Sequence, residues 1–327
     1  MRIAVTGSIA TDHLMVFPGR FADQLLPDQL AHVSLSFLVD RLEVRRGGVA
    51  ANIAYGLGGF GLSPLLVGAV GTDFAEYAVW LKEHGVDTGG VHVSAERQTA
   101  RFMCITDEDA NQIASFYAGA MSEASEIDLR ALLTGAERPG LVLISPDDPA
   151  AMLRHTAVCR ALGIPFAADP SQQLARLDGG QVRDLVDGAT WLFTNEYEAA
   201  LLTEHTGWSR GEVLEAVGTW ITTLGAEGVR VERAGASPLA VPAVPGVEPA
   251  DPTGGGDAFR AGFLAAISHG VPSEHAARLG CALAAVALRA VGSQAHEVDP
   301  VRLAGIVERA YGPGAAEPLA PLLGEQS

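Results

Sequence analysis

The run Asp251-Pro252-Thr253-Gly254-Gly255-Gly256-Asp257-Ala258-Phe259 carries three glycines into an aspartate where a helical pattern begins. Phe259, Phe263, Ala266 and Ile267 recur at spacings of three and four, so one face of the segment is apolar, and Gly270 stands where such a helix would stop. Glycines ahead of a helix leave backbone N–H groups uncovered. The helix N-terminus adds partial positive charge, so the loop can hold an anion. A carboxylate beside an anion site repels the anion. That cost makes sense if Asp257 removes a proton from an attacking hydroxyl. The same residues also fit a glycine-rich turn in which Asp257 is only a first-turn partner of the helix dipole.

A second site repeats this logic. In Arg46-Gly47-Gly48-Val49-Ala50-Ala51-Asn52, a Gly-Gly turn enters a helix and lets a ligand approach the backbone. Asn52 lies one helical turn inside, where its amide can offer both a donor and an acceptor to sugar hydroxyls. Asp12, just after the first strand, can accept two hydroxyl hydrogens. Asn52 also fits a plain helix-surface or capping role. Gly56-Leu57-Gly58-Gly59-Phe60-Gly61 satisfies G-x-G-x-x-G, but it lies at the end of a helical pattern with no strand feeding it. It reads as a C-cap and turn, not a dinucleotide fingerprint.

Composition narrows the chemistry. The net charge is −17 over 327 residues, which disfavours an extended nucleic-acid footprint, because that needs a basic face. Lys82 is the only lysine, so there is no Gly-Lys-Ser/Thr and no Walker-type phosphate loop. Phosphate charge would be met by arginine, backbone N–H groups and a metal ion. Cys104, Cys159 and Cys281 are far apart and form no CxxC, as expected of buried thiols in a reducing cytoplasm. The apolar N-terminal run is too short for a signal peptide, and 279–288 falls short of the roughly 20 residues that span a bilayer. A cytoplasmic protein without a membrane partner is expected. The histidines form no HExxH, and no G-x-S-x-G occurs, which disfavours a zinc hydrolase and an α/β-hydrolase.

Positioning elements are legible around these motifs. Residues 3–5 read as a buried strand ending at Gly7-Ser8, followed by a helix over 49–60, a strand over 64–69 and a helix over 73–84. From Leu141 the pattern alternates strand and helix. Continuous apolar strands at 141–145, 165–169, 190–194 and 220–224 indicate a parallel sheet covered on both faces. Helices close the chain near 257–269, 272–290 and 300–311, and the tail after Gly312 is expected to be loose. Two stretches break the pattern with half-exposed strands. Residues 14–46 and 97–120 predict one small β-sheet lid above a body formed by 1–13, 47–96 and 121–327.

Gly47-Gly48-x-x-x-Asn52 near one end, with Asp251-x-Thr253-Gly254-Gly255-Gly256-Asp257 near the other, resembles the two signatures of ribokinase-like (PfkB-type) kinases. The resemblance covers essentially the whole chain; the usual Gly-Ala-Gly-Asp is Gly-Gly-Gly-Asp here. It implies a ribokinase-like three-layer α/β/α fold with a lid, and ATP and Mg²⁺ as co-substrate and cofactor. Asp257 would be the general base, and the N–H groups of Gly254, Gly255 and Gly256 would stabilise the transferred phosphoryl. Ser8, Asp12, Gly48 and Asn52 would hold the acceptor. Asn195-Glu196-Tyr197-Glu198 resembles the Asn-x-x-Glu element, with Asn195 at ATP and Glu198 reaching Mg²⁺ through water; a helix N-cap is the plain alternative. Thr223, Gly225 and Gly228 resemble the ATP loop; an ordinary turn is the plain alternative. Asp251, Thr253 and carbonyls near 287–292 resemble the loop for an activating potassium ion.

The substrate reading rests on different residues. Gln172 and Gln173, after a parallel strand, can present amides to a purine edge. Phe102 and Phe116, on the second lid stretch, could sandwich a flat base. Lid-core phenylalanines and solvated glutamines are the alternatives. The lid together with Asp169-Pro170-Ser171-Gln172-Gln173-Leu174-Ala175-Arg176 resembles the bacterial adenosine kinases of this family, which implies that Arg176 approaches the ATP phosphates when the lid closes. The expected activity is therefore ATP-dependent 5′-phosphorylation of adenosine to AMP, as in purine salvage. Another nucleoside or sugar kinase, or a non-catalytic nucleoside sensor, are the alternatives. Pairing of open lid edges predicts a homodimer through the lid.

Overall fold

The computed structural model describes residues 1–24, 34–134 and 138–324; the part of the first lid stretch over 25–33 lies outside the described residues. Its strands, in chain order, are β1 (Ile3–Thr6), β2 (Ala10–Val16), β3 (Arg41–Gly47), β4 (Leu65–Val70), β5 (Asp87–Val93), β6 (Ala100–Thr106) and β7 (Gln112–Tyr117). They continue with β8 (Leu141–Ile144), β9 (Phe166–Ala168), β10 (Trp191–Asn195), β11 (Thr219–Thr223), β12 (Val229–Glu232) and β13 (Leu239–Val241).

Nine strands form one sheet in the order β13-β12-β11-β10-β9-β8-β1-β4-β5. From β5 to β11 every pairing is parallel, and only β12 and β13 join antiparallel. Alternate residues of one strand feed two separate cores. Ile3, Val5, Leu141 and Leu143 pack on one face with helices Val49–Gly59, Gly255–Ser268, Ser273–Ala287 and Pro300–Tyr311. Ala4, Val142 and Ile144 pack on the other with helices Pro149–Leu162, Gly179–Val186 and Glu196–Thr206. A strand that must bury both faces has no polar alternation, which is why these strands read as continuous apolar runs.

The second sheet runs β3-β2-β6-β7, with β2 and β6 parallel. Both sequence stretches contribute to it, and its edge strands leave Leu42, Val44 and Ile113 exposed. β2 starts at Ala10, close behind β1, so Asp12 sits on the small sheet, whereas its sequence position suggested the body. The strands β5, β12 and β13 were not evident from the sequence. The expectation of a loose tail is corrected: Ala315, Leu319 and Leu323 are buried against the body core, with short helical turns at Glu317–Leu319 and Ala320–Leu323.

Helices Val49–Gly59 and Gly255–Ser268 lie unusually close. A Cβ placed on Gly56 would stand 2.6 Å from Cβ of Ala261. Gly56 and Ala261 are each one helical turn past Asn52 and Asp257, so this approach brings those two side chains together. The glycine that begins the G-x-G-x-x-G run thus serves helix packing. Gly56→Ala is expected to force the helices apart and cost about 1–3 kcal/mol, lowering Tm and turnover together. Adding Ala261→Gly should restore much of both, as read by calorimetry and initial rates. A Gly56→Ala protein with unchanged Tm would show that the helices can separate freely.

Candidate active site

Two cavities meet at the Gly254–Asp257 turn. The larger, about 860 Å³, lies between the small sheet and the body and is lined by Asp257 among others. The smaller, about 570 Å³, is lined by Gly255 and Gly256. Thr223, Gly225 and Gly228, at and beyond the C-terminal end of β11, line the smaller one, as Ser8 after β1 lines the larger. Sites in open α/β sheets form beyond the strand ends where the winding order reverses, and β1 is where the chain turns from β4 and β5 toward β8.

The helix Gly255–Ser268 begins without a side-chain cap. Its N-cap is Gly254, in the left-handed region at φ 81°. Asp148, Asp178, Asn195, Ser209 and Asp299 each cap the helix that follows them. The N–H groups of Gly255, Gly256 and Asp257 are therefore free to face a ligand. A Cβ on Gly254 would fall 2.7 Å from Ser293 Cβ, so only glycine fits that turn. At Gly255 the added methyl would meet Leu288 Cδ2 at 2.9 Å. Leu288 fills the space that the alanine of the more usual Gly-Ala-Gly-Asp would need.

Asp257 is held by a chain of amides. Asn52 Nδ2 donates to Asp257 Oδ2 at 2.8 Å. Asn52 Oδ1 in turn accepts from Ser293 Oγ and Gln294 Nε2, each at 3.0 Å. Trp80 Nε1 donates to Gln294 Oε1 at 3.1 Å, and Tyr77 OH donates to the Gly47 carbonyl at 3.0 Å. Asn52 lines the larger cavity as expected, but its amide is engaged in orienting Asp257. Asp257 Oδ1 has no hydrogen-bond partner among the described residues. Burial raises the Asp257 carboxyl above its ordinary range, while the Arg260 charge and the Asn52 bond pull it back. Arg260 is itself tied to the fully buried Asp169, with Nη2 donating to Oδ1 at 2.7 Å. Burial pushes Asp169 up to about 7 against the pull of Arg260.

Asp12, on β2, faces the larger cavity, and glycine at 47 lets it do so: a Cβ there would lie 2.8 Å from Asp12 Oδ2. Burial raises Asp12 to about 6, opposed by Arg45. Gly48, at φ 94°, leaves its Cβ position 2.6 Å from the Ser8 carbonyl, while Ser8 Oγ accepts from Val49 N at 3.1 Å. Phe102 and Phe116 are direct cross-strand partners on β6 and β7, and both line the cavity. They stand side by side on one sheet face and do not face each other as the expected sandwich requires. Gln172 and Gln173 line the body wall; Ser171, at φ 45°, donates to Gln172 Oε1 at 2.7 Å and leaves its amide protons available. Arg176 lines this larger cavity and not the smaller one where the resemblance put ATP.

Asn195 and Glu198 line neither cavity. They form a reciprocal capping box, each side chain bonding the other's backbone N–H at 2.8 Å. Glu198 Oε1 is approached by Ser171 Oγ at 3.4 Å, and its charge acts on Asp169 and Arg260. No cluster of three or more metal-ligating side chains occurs among the described residues. No helix among them is long and apolar enough to cross a membrane. All three cysteines are buried and free. Arg45, Arg260, Ser293 and Gln294 were not singled out from sequence. Only Arg260, one turn beyond Asp257, carried a signal that spacing could have used.

A mostly parallel body beneath a four-stranded sheet, with an open helix N-terminus between two cavities, defines a ribokinase-like phosphotransferase with an alcohol acceptor. The chain belongs to the pfkB family of carbohydrate kinases, whose family model matches residues 8–299. It is 30% identical over 275 residues to a nucleoside kinase of Methanothermobacter thermautotrophicus, covering 83% of this chain and 87% of that one. It is 29% identical over 251 residues to a ribokinase of Bacillus subtilis, covering 76% and 83%. A nucleoside kinase of Burkholderia thailandensis, solved in complex with inosine, superposes with a TM-score of 0.82 at 32% identity, covering 94% of this chain and 98% of that one.

Two outcomes test the site. If Asp257 is the base that the resemblance implies, it must be ionised to accept a proton, so activity should fall as pH drops through its raised pKa. Asn52→Ala removes a bond to the charged form, so the acid limb of kcat/KM should move to higher pH than in wild type, measured at saturating nucleotide. A limb left in place would assign it to another group. Gly255→Ala should raise KM for the nucleotide and lower Tm. A second change, Leu288→Val, should relieve both; a single variant indistinguishable from wild type would show that Leu288 yields without cost.

Proposed function

We propose that the protein is an ATP-dependent nucleoside kinase that phosphorylates the 5′-hydroxyl of purine nucleosides, with adenosine as the expected substrate. The observation that carries this reading is that one helical turn faces both cavities. Asp257, whose Oδ1 has no hydrogen-bond partner among the described residues, lines the larger, and Gly255 and Gly256, whose N–H groups no side chain caps, line the smaller. ATP in the smaller cavity, against Thr223, Gly225 and Gly228, would direct its γ-phosphoryl group at that turn. The acceptor would lie in the larger cavity, its ribose hydroxyls on Asp12 and its base over Phe102 and Phe116.

Asp257 takes the proton of the 5′-hydroxyl as its oxygen attacks the γ-phosphorus, and the bond to ADP breaks. The N–H groups of the turn, already oriented, meet the charge on the transferred group. Arg260, held near Gly256 by Asp169, adds fixed positive charge behind it. Mg²⁺ would neutralise the triphosphate. Glu198, whose long 3.4 Å contact with Ser171 leaves an oxygen free to accept, suits a role through water.

Two aromatic side chains paired on one sheet face, in the same cavity as Gln172 and Gln173, favour a flat base over a bare sugar. The likeness to a nucleoside kinase solved with inosine points the same way and makes inosine a second candidate base. The likeness to a ribokinase supports ribose as the alternative acceptor.

ADP formation with adenosine, inosine, guanosine, cytidine and ribose, compared by kcat/KM, tests the assignment. A purine nucleoside should lead, by at least about tenfold over ribose, the scale of one lost stacking contact; ribose leading would overturn it. Asp257→Asn should lower kcat by about two orders of magnitude or more while nucleoside binding persists. Binding of both ligands without turnover in the wild type would instead favour a sensor.

A further inference from the structure

The loop that ends in Asp257 is pinned from the small sheet by an arginine. Arg45 of β3 donates from Nη1 to Asp251 Oδ2 at 3.1 Å, and both side chains are largely buried, at 18% and 14% exposure. Gly292 N donates to the same oxygen at 3.0 Å, and Thr253 N donates to Asp251 Oδ1 at 2.9 Å. Arg45 Nε is held by Glu43 Oε1 at 2.7 Å, which fixes the guanidinium in place. Its aliphatic stem lies against Gly292, where a Cβ would be 3.4 Å from Arg45 Cδ.

Asp251, Thr253 and the carbonyls near 287–292 form the loop for which the family resemblance implies a potassium ion. As folded, the Asp251 carboxylate does not suit one. Both oxygens of Asp251 accept N–H donors, one of them from a full positive charge. The carbonyls of Ala287, Leu288 and Gly292 already accept the N–H groups of Ala290, Ala250 and Ala295. A cation needs oxygens turned toward it and no guanidinium on its strongest ligand.

We propose that Arg45 supplies, as part of the chain, the positive charge that this loop requires, so that the geometry of the glycine turn and the rate of phosphoryl transfer do not depend on potassium. The placement has a second consequence. Arg45 is the direct cross-strand partner of Asp12, so one side chain faces both the carboxylate proposed to hold the acceptor and the loop that ends in Asp257. Its positive charge offsets Asp12, Asp251 and Asp257, three carboxylates lining one cavity. Arg45 acts through Asp251 and is a positioning residue. A monovalent ion has no such tie to the small sheet, whereas Arg45 makes loop order depend on where that sheet sits.

The inference rests on phosphoryl transfer at the glycine turn, and its test separates the two. Turnover and ADP affinity of the whole protein are measured in chloride salts of potassium, sodium and tetramethylammonium at equal ionic strength, with Tm followed in each. Wild-type kcat, ADP affinity and Tm should agree within about twofold, or within error, across the salts. Arg45→Ala should lose about tenfold or more in kcat and in ADP affinity, with potassium restoring a part that tetramethylammonium does not. Arg45→Lys, which keeps a charge but not the fork, should retain more than Arg45→Ala. Wild-type kcat or ADP affinity rising tenfold or more with potassium over tetramethylammonium would overturn the proposal. So would an Arg45→Ala protein as active as wild type without potassium. If no acceptor is phosphorylated at all, the proposed activity fails, while the ion series on ADP affinity and Tm still decides the role of Arg45.

Discussion

Asp257 occupies the first turn of a helix whose leading N–H groups no side chain caps. A carboxylate and an open anion site in the same turn are an electrostatic conflict in a chain of net charge −17. Much of the surrounding structure reads as a response to that conflict. The carboxylate is oriented by an amide and not by a cation, so it keeps a basic oxygen. Positive charge enters from behind, through Arg260 on Asp169, and from the side, through Arg45 on Asp251. Neither arginine bonds Asp257 directly, so neither removes its capacity to accept a proton.

The arrangement depends on close packing as much as on charge. Gly56 against Ala261 sets the separation of two helices, and one turn away that separation becomes the Asn52–Asp257 hydrogen bond. Gly262 against Gly280 does the same for the next helix pair, with a Cβ position 3.0 Å from a backbone atom. Small residues let backbones approach, and the approach delivers side chains from distant segments to hydrogen-bonding range. The amide chain from Trp80 through Gln294 to Asn52 then restrains the carboxylate, because each buried polar group in it has a partner that would be costly to lose.

Much of this was legible in the sequence, for identifiable reasons. Buried parallel strands such as β1 and β8 are apolar throughout, and the strands of the small sheet are not, so body and lid separate by pattern alone. Glycine turns entering helices announce themselves through spacing, as at Gly47-Gly48 and Gly254-Gly255-Gly256. Other features had no local signal. β12, Val229–Glu232, carries Arg230 and Glu232 and becomes a strand because β11 offers it an edge. The segment after Gly312 is short and rich in alanine, glycine and proline, yet Leu319 and Leu323 are drawn into a groove made by other helices. Gly56 looked like part of a decoy motif, since what it permits is a contact with a residue more than 200 positions away.

The sequence by itself determined the chemistry that could occur: an anion turn with a carboxylate, a second glycine turn with an amide, and no lysine able to serve a phosphate loop. It determined the alternation of strand and helix that brings such turns to the ends of parallel strands. Tertiary structure alone decided which partner each of these groups meets. It gave the Asn52 amide to Asp257, set Phe102 and Phe116 side by side where a sandwich was expected, and laid Arg45 on Asp251. The physical reason is that backbone conformation responds to near neighbours in the chain. Hydrogen-bond partners, by contrast, depend on sheet register and helix separation, which only the packed fold defines.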